Sequence, residues 1–194
     1  MPRRLLPLLL VVLVAFGAAG CADDVSPAIR VGDATVSNDE LLDEIGQWIG
    51  NPVAVDPAQV SGLTPGGYPG ELVRQLISQR IDFMLHEQEF DRLGLEVTEE
   101  LRTEALVALF GDPSAAGDAF AAFSDEFASS FTDDVARQIA VEQELSETSE
   151  TAYSDWYVAA YEGAEIEVNP RYGTWDPTTR SVIAPAAPTP AATG

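Results

Sequence analysis

Apolar residues recur at helical spacing over the stretch 71–102, ELVRQLISQRIDFMLHEQEFDRLGLEVTEELR. Val73, Leu76, Ile77, Ile81, Met84 and Leu85 fall on one face of a long helix. Leu93-Gly94-Leu95 ends that helix, because glycine suits the left-handed position past a helix terminus. Thr98 then caps a second helix, and Glu99 and Glu100 sit against the positive end of its dipole.

The remaining pattern places other elements around this pair. AIRVGDATV, 28–36, alternates about Gly32-Asp33 and predicts a short strand or hairpin. Ser37-Asn38-Asp39-Glu40 is a capping box, with Val36 and Leu41 placed as its hydrophobic staple. The helix it opens turns Leu41, Ile45, Trp48 and Ile49 inward and ends at Gly50-Asn51-Pro52. Prolines and glycines then make 52–70 an irregular loop.

After Gly111-Asp112-Pro113, a helix over 118–129 is predicted, and Thr132-Asp133-Asp134 caps a further one that turns Val135, Ile139 and Leu145 inward. Phe120, Phe123, Phe127 and Phe131 form a stripe that reads either as core or as a groove for peptides. Tyr153, Trp156, Tyr157, Ala160 and Tyr161 repeat the helical pattern, and AEIEV, 164–168, alternates as a strand. NPRYGTWD, 169–176, reads as a turn, and Val182-Ile183 as a last contact. The fold class expected is mainly α (α+β): about six helices in one domain over 28–183, closed by a small pair of terminal β-strands.

Charge sharpens this picture. All ten basic residues are arginine, against 32 acids, for a formal net charge of −22. Such a surface repels nucleic acid and anionic headgroups and favours basic or neutral partners.

The first twenty residues add a location. Arg3 and Arg4 precede a twelve-residue apolar run, Leu5 to Phe16, and then small residues. That is a signal peptide over 1–20, too short to favour a membrane span. Cys21, the one cysteine, follows directly. Ala-Ala-Gly-Cys resembles a bacterial lipobox, although Ala18 stands where leucine is usual. Cys21 is thus either the lipidated start of a tether, 21–27, or a free thiol after ordinary cleavage. The Pro/Ala segment 184–194 reads as a disordered tail.

Inventory removes most catalytic chemistry. His86 is the one histidine, and no nucleophile elbow accompanies it. It reads as a surface or helix-end residue. Zinc sites need several His or Cys ligands. Gly66-Gly67-Tyr68-Pro69-Gly70 lacks the lysine of a phosphate loop. No cofactor, metal or enzymatic activity is therefore expected. Arg80 projects towards the apolar stripe and either pairs with an internal acid or binds a client carboxylate.

The order of these motifs resembles the N-terminal chaperone domain of SurA-like and PrsA-like periplasmic foldases. The resemblance runs through VGDATVSNDE, LISQRIDFMLHEQEFDRLGLEVTEE, FSDEFASSFTDDVARQIAVEQEL and EVNPRYGTWD. Such proteins often carry a parvulin isomerase domain before the closing segment. Here Leu145 and Tyr153 are nearly adjacent, so the resemblance implies the chaperone module without the isomerase. It implies a lipid-anchored, extracytoplasmic, ATP-independent chaperone for unfolded or newly exported chains, with secretion as the alternative location. Phe110, Phe120, Phe123 and Phe127 are the candidate client cleft. A dedicated assembly factor for one cell-envelope partner is the alternative function.

Overall fold

The computed structural model of this chain describes residues 26–51 and 70–184. The expected signal peptide, Cys21, residues 52–69 of the predicted loop and all of the expected tail beyond residue 184 lie outside the described residues.

The chain enters through β1 (Ile29–Val31) and β2 (Ala34–Val36), an antiparallel hairpin pairing Ile29 with Val36. Its two-residue turn has Gly32 at φ 58° in the first position, as a II′ hairpin turn requires. Ser37 then caps α1 (Asn38–Ile49): its hydroxyl accepts from the Glu40 amide, and the Glu40 carboxylate accepts from the Ser37 amide. This is the reciprocal box read from the sequence, worth about 1 kcal/mol. Val36 and Leu41 on either side of it are both buried.

The long helix α2 (Gly70–Leu93) ends at Gly94, whose φ of 68° is left-handed. Thr98 caps α3 (Glu99–Phe110) by accepting from the Leu101 amide. A single 3-10 turn, Pro113–Ala115, leads into the short α4 (Ala116–Phe120).

The second long helix, α5 (Asp125–Thr148), corrects the expected boundaries. Its cap is Ser124, which accepts from the Phe127 amide, and the helix runs unbroken through Thr132. Thr132 turns its hydroxyl back to the Ala128 carbonyl at 2.8 Å. Asp133 and Asp134 reach arginines on other helices and do not cap. The expected helix over 118–129 is thus two helices joined at residues 121–124.

Then α6 (Ala152–Gly163) returns the chain to β3 (Ile166–Val168). β3 pairs antiparallel with β1, Ile29 opposite Val168, so the sheet order is β2-β1-β3 and the two ends of the domain meet as expected. Beyond that pair, β4 (Thr174–Asp176) and β5 (Ser181–Ile183) form a separate antiparallel hairpin. The architecture is mainly α with a few small antiparallel strands, and six α-helices lie among the described residues. None of them is long and apolar enough to cross a membrane.

The core divides along α2. Val73, Ile77, Ile81, Met84 and Leu85 pack with Ile29, Val31, Leu41 and Ile45 under the three-stranded sheet. Farther along, Phe90 packs with Ala140 and Val141 of α5. Hydrogen bonds fasten the sheets to this helix: Gln88 Nε2 donates to the Val31 carbonyl at 3.0 Å, and Ser78 Oγ accepts from the Val182 amide at 3.0 Å.

Gly173 holds the second hairpin. Its φ is 146°, and a Cβ there would stand 2.3 Å from the Ile183 carbonyl oxygen. The Gly173→Ala substitution is expected to cost about 2 kcal/mol or more, from backbone strain and the clash with Ile183. Urea unfolding followed by tryptophan fluorescence measures it; an unchanged midpoint would contradict this role for Gly173.

Candidate functional site

Two side-chain constellations stand out, one aromatic and half-open, the other polar and closed. The aromatic one is built on Trp48, at the end of α1. Its indole meets the edges of Phe123, Phe127 and Phe131 at 5.2, 6.0 and 5.1 Å between centroids. Phe120 extends the cluster to Phe110 at 5.1 Å and to Phe123 at 5.6 Å. Phe83 of α2 closes the floor against Phe131 at 5.8 Å. Such edge-to-face pairs contribute about 0.5–1.5 kcal/mol each beyond burial.

The four phenylalanines expected in a cleft are therefore brought together. Phe110, Phe120, Phe123 and Phe127 are half-buried, whereas Phe131 and Phe83 are buried beneath them. The stripe is core at its base and surface at its rim. Trp48 is the central residue that sequence reasoning assigned only to the interior; its place at the end of α1, facing α5, depends on tertiary packing. Two long-range bonds fix that junction: Gln47 Oε1 accepts from the Ser124 amide at 2.9 Å, and Asn51 Nδ2 donates to the Ala119 carbonyl at 2.6 Å.

Trp48, Phe127 and Phe131 also wall a crevice of about 40 Å³, whose far side is charged. Arg80 Nη1 donates to Asp134 Oδ2 at 3.0 Å, and Arg137 Nη1 to Asp134 Oδ1 at 2.7 Å. Arg80 Nε lies 3.6 Å from Glu44 Oε1 and, buried, makes no hydrogen bond. Arg80 thus takes the internal-acid alternative. Burial pushes the Glu44 and Asp134 carboxyls above their ordinary values, and the Arg80 guanidinium only partly offsets this.

The closed constellation centres on Asp82. Its Oδ1 accepts from Tyr161 Oη at 2.8 Å, and its Oδ2 accepts from Gln138 Nε2, so one carboxylate joins α2, α5 and α6. One turn on, His86 is only 1% exposed, which corrects the expected surface or helix-end histidine. The reason is that α6 covers this side of α2 with Tyr153, Trp156 and Tyr157. His86 Nδ1 lies 2.8 Å from the Asp82 carbonyl, which can only accept, so Nδ1 carries a hydrogen, and Nε2 is hydrogen-bonded with Tyr153 Oη at 3.0 Å. Burial, with Asp82 and Glu142 nearby, pushes the Tyr153 phenol up to about 12. Both ring nitrogens of His86 have partners within the protein, so this network braces the three helices. Among the described residues no cluster of His, Cys, Asp and Glu has the arrangement of a metal site.

Compared with known protein families, characterised proteins and solved structures, the chain finds no match.

Two titration experiments follow. Glu44 and Asp134 have native values raised above 4.5 and 3.8, so the stability they contribute is complete below those values and declines as pH rises through the raised ones. Glu44→Gln, permanently neutral, should gain stability relative to the parent chain on going from about pH 4 to about pH 7 in urea unfolding. A difference independent of pH would contradict the burial of this carboxyl.

Burial also raises Tyr157, Tyr161 and Tyr172, so with Tyr153 four of the five tyrosines ionise late. Their stabilisation persists below about pH 10 and is lost as pH climbs through the native values. Tyrosinate absorbance should therefore appear at higher pH in the native chain than in guanidinium; coincident curves would contradict it.

Proposed function

We propose that this protein is an ATP-independent chaperone that binds apolar segments of unfolded or newly exported polypeptides at its aromatic cluster. It acts without isomerase chemistry, held at the extracytoplasmic face of the membrane by acyl chains on Cys21. The observation that carries the reading is the convergence of Trp48 and Phe120, Phe123 and Phe127 on one half-buried rim. A rim of this kind offers aromatic rings already held in position, so little side-chain entropy is lost when a client segment lies across them. The acidic exterior supports the same reading, because the large excess of acids over arginines keeps a chaperone–client complex from aggregating. The SurA-like order of the helices in the sequence is consistent with it. No step requires a nucleotide or a metal: binding and release follow from the client's own folding equilibrium.

The test is light scattering from a chemically unfolded client diluted into buffer without nucleotide. An equimolar amount of the purified chain is expected to slow aggregation. A ring that anchors a client contributes more than about 1 kcal/mol of binding, so Phe127→Ala should raise the concentration for half-protection by about fivefold. The variant is compared at a temperature where circular dichroism shows it folded. Aggregation that proceeds at the same rate with and without the parent chain would refute the proposal.

A further inference from the structure

Charge and aromatic surface meet in one place on this molecule. A groove of about 720 Å³ runs between α1 and the start of α5, and it joins the aromatic crevice at Glu44, Phe127 and Ser130. Asp43 and Glu44 line its α1 side and Glu126 its α5 side, and no basic residue lines it. We propose that this groove binds the basic side chains of extended polypeptides, so that the preferred client segment carries arginine or lysine between apolar residues. The inference rests on the polypeptide-binding reading above and narrows its client class.

The argument starts from where the arginines are spent. Arg30, Arg74, Arg80, Arg92, Arg102 and Arg137 each pair with an acid within the chain. Arg171 and Arg180 lie over tyrosine rings elsewhere, at 5.2 Å from Tyr172 and 5.3 Å from Tyr157. Those are all the described arginines, and the chain has no lysine. No cation among the described residues is left for this groove.

Its carboxylates show the deficit. Asp43 and Glu126 are exposed and form no ion pair with any described residue. Glu44, at the inner end, has one arginine contact at 3.6 Å, beyond hydrogen-bond length. Contrast Asp134, whose two oxygens are both held by guanidinium groups. A guanidinium or ammonium arriving from a client would complete Glu44 and lie beside Phe127, the aromatic residue that lines the groove. Neighbouring apolar side chains of the same segment would then reach the phenylalanine rim.

A second groove separates this from general acidity. Between α3 and α5, Glu96, Glu100, Glu104, Glu144 and Glu147 line a cleft of about 330 Å³ without an aromatic wall. It carries at least as many acids and has no ring to match Phe127.

The experiment uses the purified full-length chain and two fluorescent peptides of equal length and equal apolar content. One carries arginines and the other glutamates. The arginine peptide is expected to bind about tenfold more tightly at low ionic strength, and that margin should shrink as salt rises. The double variant Asp43→Asn/Glu126→Gln should weaken the arginine peptide by about twofold to tenfold. Glu96→Gln/Glu147→Gln removes the same charge from the other cleft and should leave affinity within about twofold of the parent. Equal affinity for the two peptides, or equal losses in the two double variants, overturns the basic-segment groove and leaves the polypeptide-binding reading standing. Failure of both peptides to bind overturns both.

Discussion

A helix covered on most of its circumference must satisfy its own polar side chains internally, and that constraint shapes this domain. The middle of α2 is such a helix: residues 83–86 are buried in succession, with Ile81, Glu89 and Phe90 on either side. A one-sided amphipathic pattern would need only one partner. Here the sheet takes the face of Ile77 and Ile81, α5 takes Phe83, and α6 takes His86. Asp82 and His86 are acceptable in that environment because Tyr161, Gln138, Tyr153 and a backbone carbonyl complete their hydrogen bonds. Removing one partner would strand a buried polar group, which costs about 1–3 kcal/mol. The network therefore fixes which helices may pack on α2, and in which rotation about its axis.

Local chemistry was legible in the sequence wherever one residue acts on its near neighbours. The Ser37–Glu40 box, the Thr98 cap and the Gly94 stop are set within four residues of chain, and each stands where the pattern places it. The boundaries of α5 were not legible because Ser124-Asp125-Glu126 and Thr132-Asp133-Asp134 present the same local signal. What separates them is distant: Arg102 claims Asp133, and Arg80 claims Asp134. The hairpin of β4 and β5 was hidden for a similar reason. Its three-residue strands depend on Gly173 at close approach and on Ser78, which lies on another element altogether.

The candidate site shows the same division. Helical spacing grouped the phenylalanines, and Phe110 joined them across the Gly111-Asp112-Pro113 corner. Spacing could not tell floor from rim, since that depends on which rings α2 covers. Nor could it place Trp48 at the centre. The proposed function takes its form from this geometry: a buried aromatic base and a half-open edge, beside Asp43 and Glu126, which no described arginine pairs with. Affinity for apolar segments and preference for their charge would then arise from adjacent surfaces, each variable without rebuilding the other.

The sheet order β2-β1-β3 has a bearing on the timing of folding. β1 is the first strand and lies in the middle, with β3 supplied from almost the far end of the described chain. A chain that emerges N-terminus first can close the β1–β2 hairpin at once, since its turn is local. The other edge of β1 stays open until Ile166–Val168 has emerged and the helices between have packed. Closing that span is slow compared with forming any single helix, and an unpaired edge is where chains associate with one another. The pairing of β1 with β3 thus closes later than the hairpin, and until it does the domain presents an open strand edge.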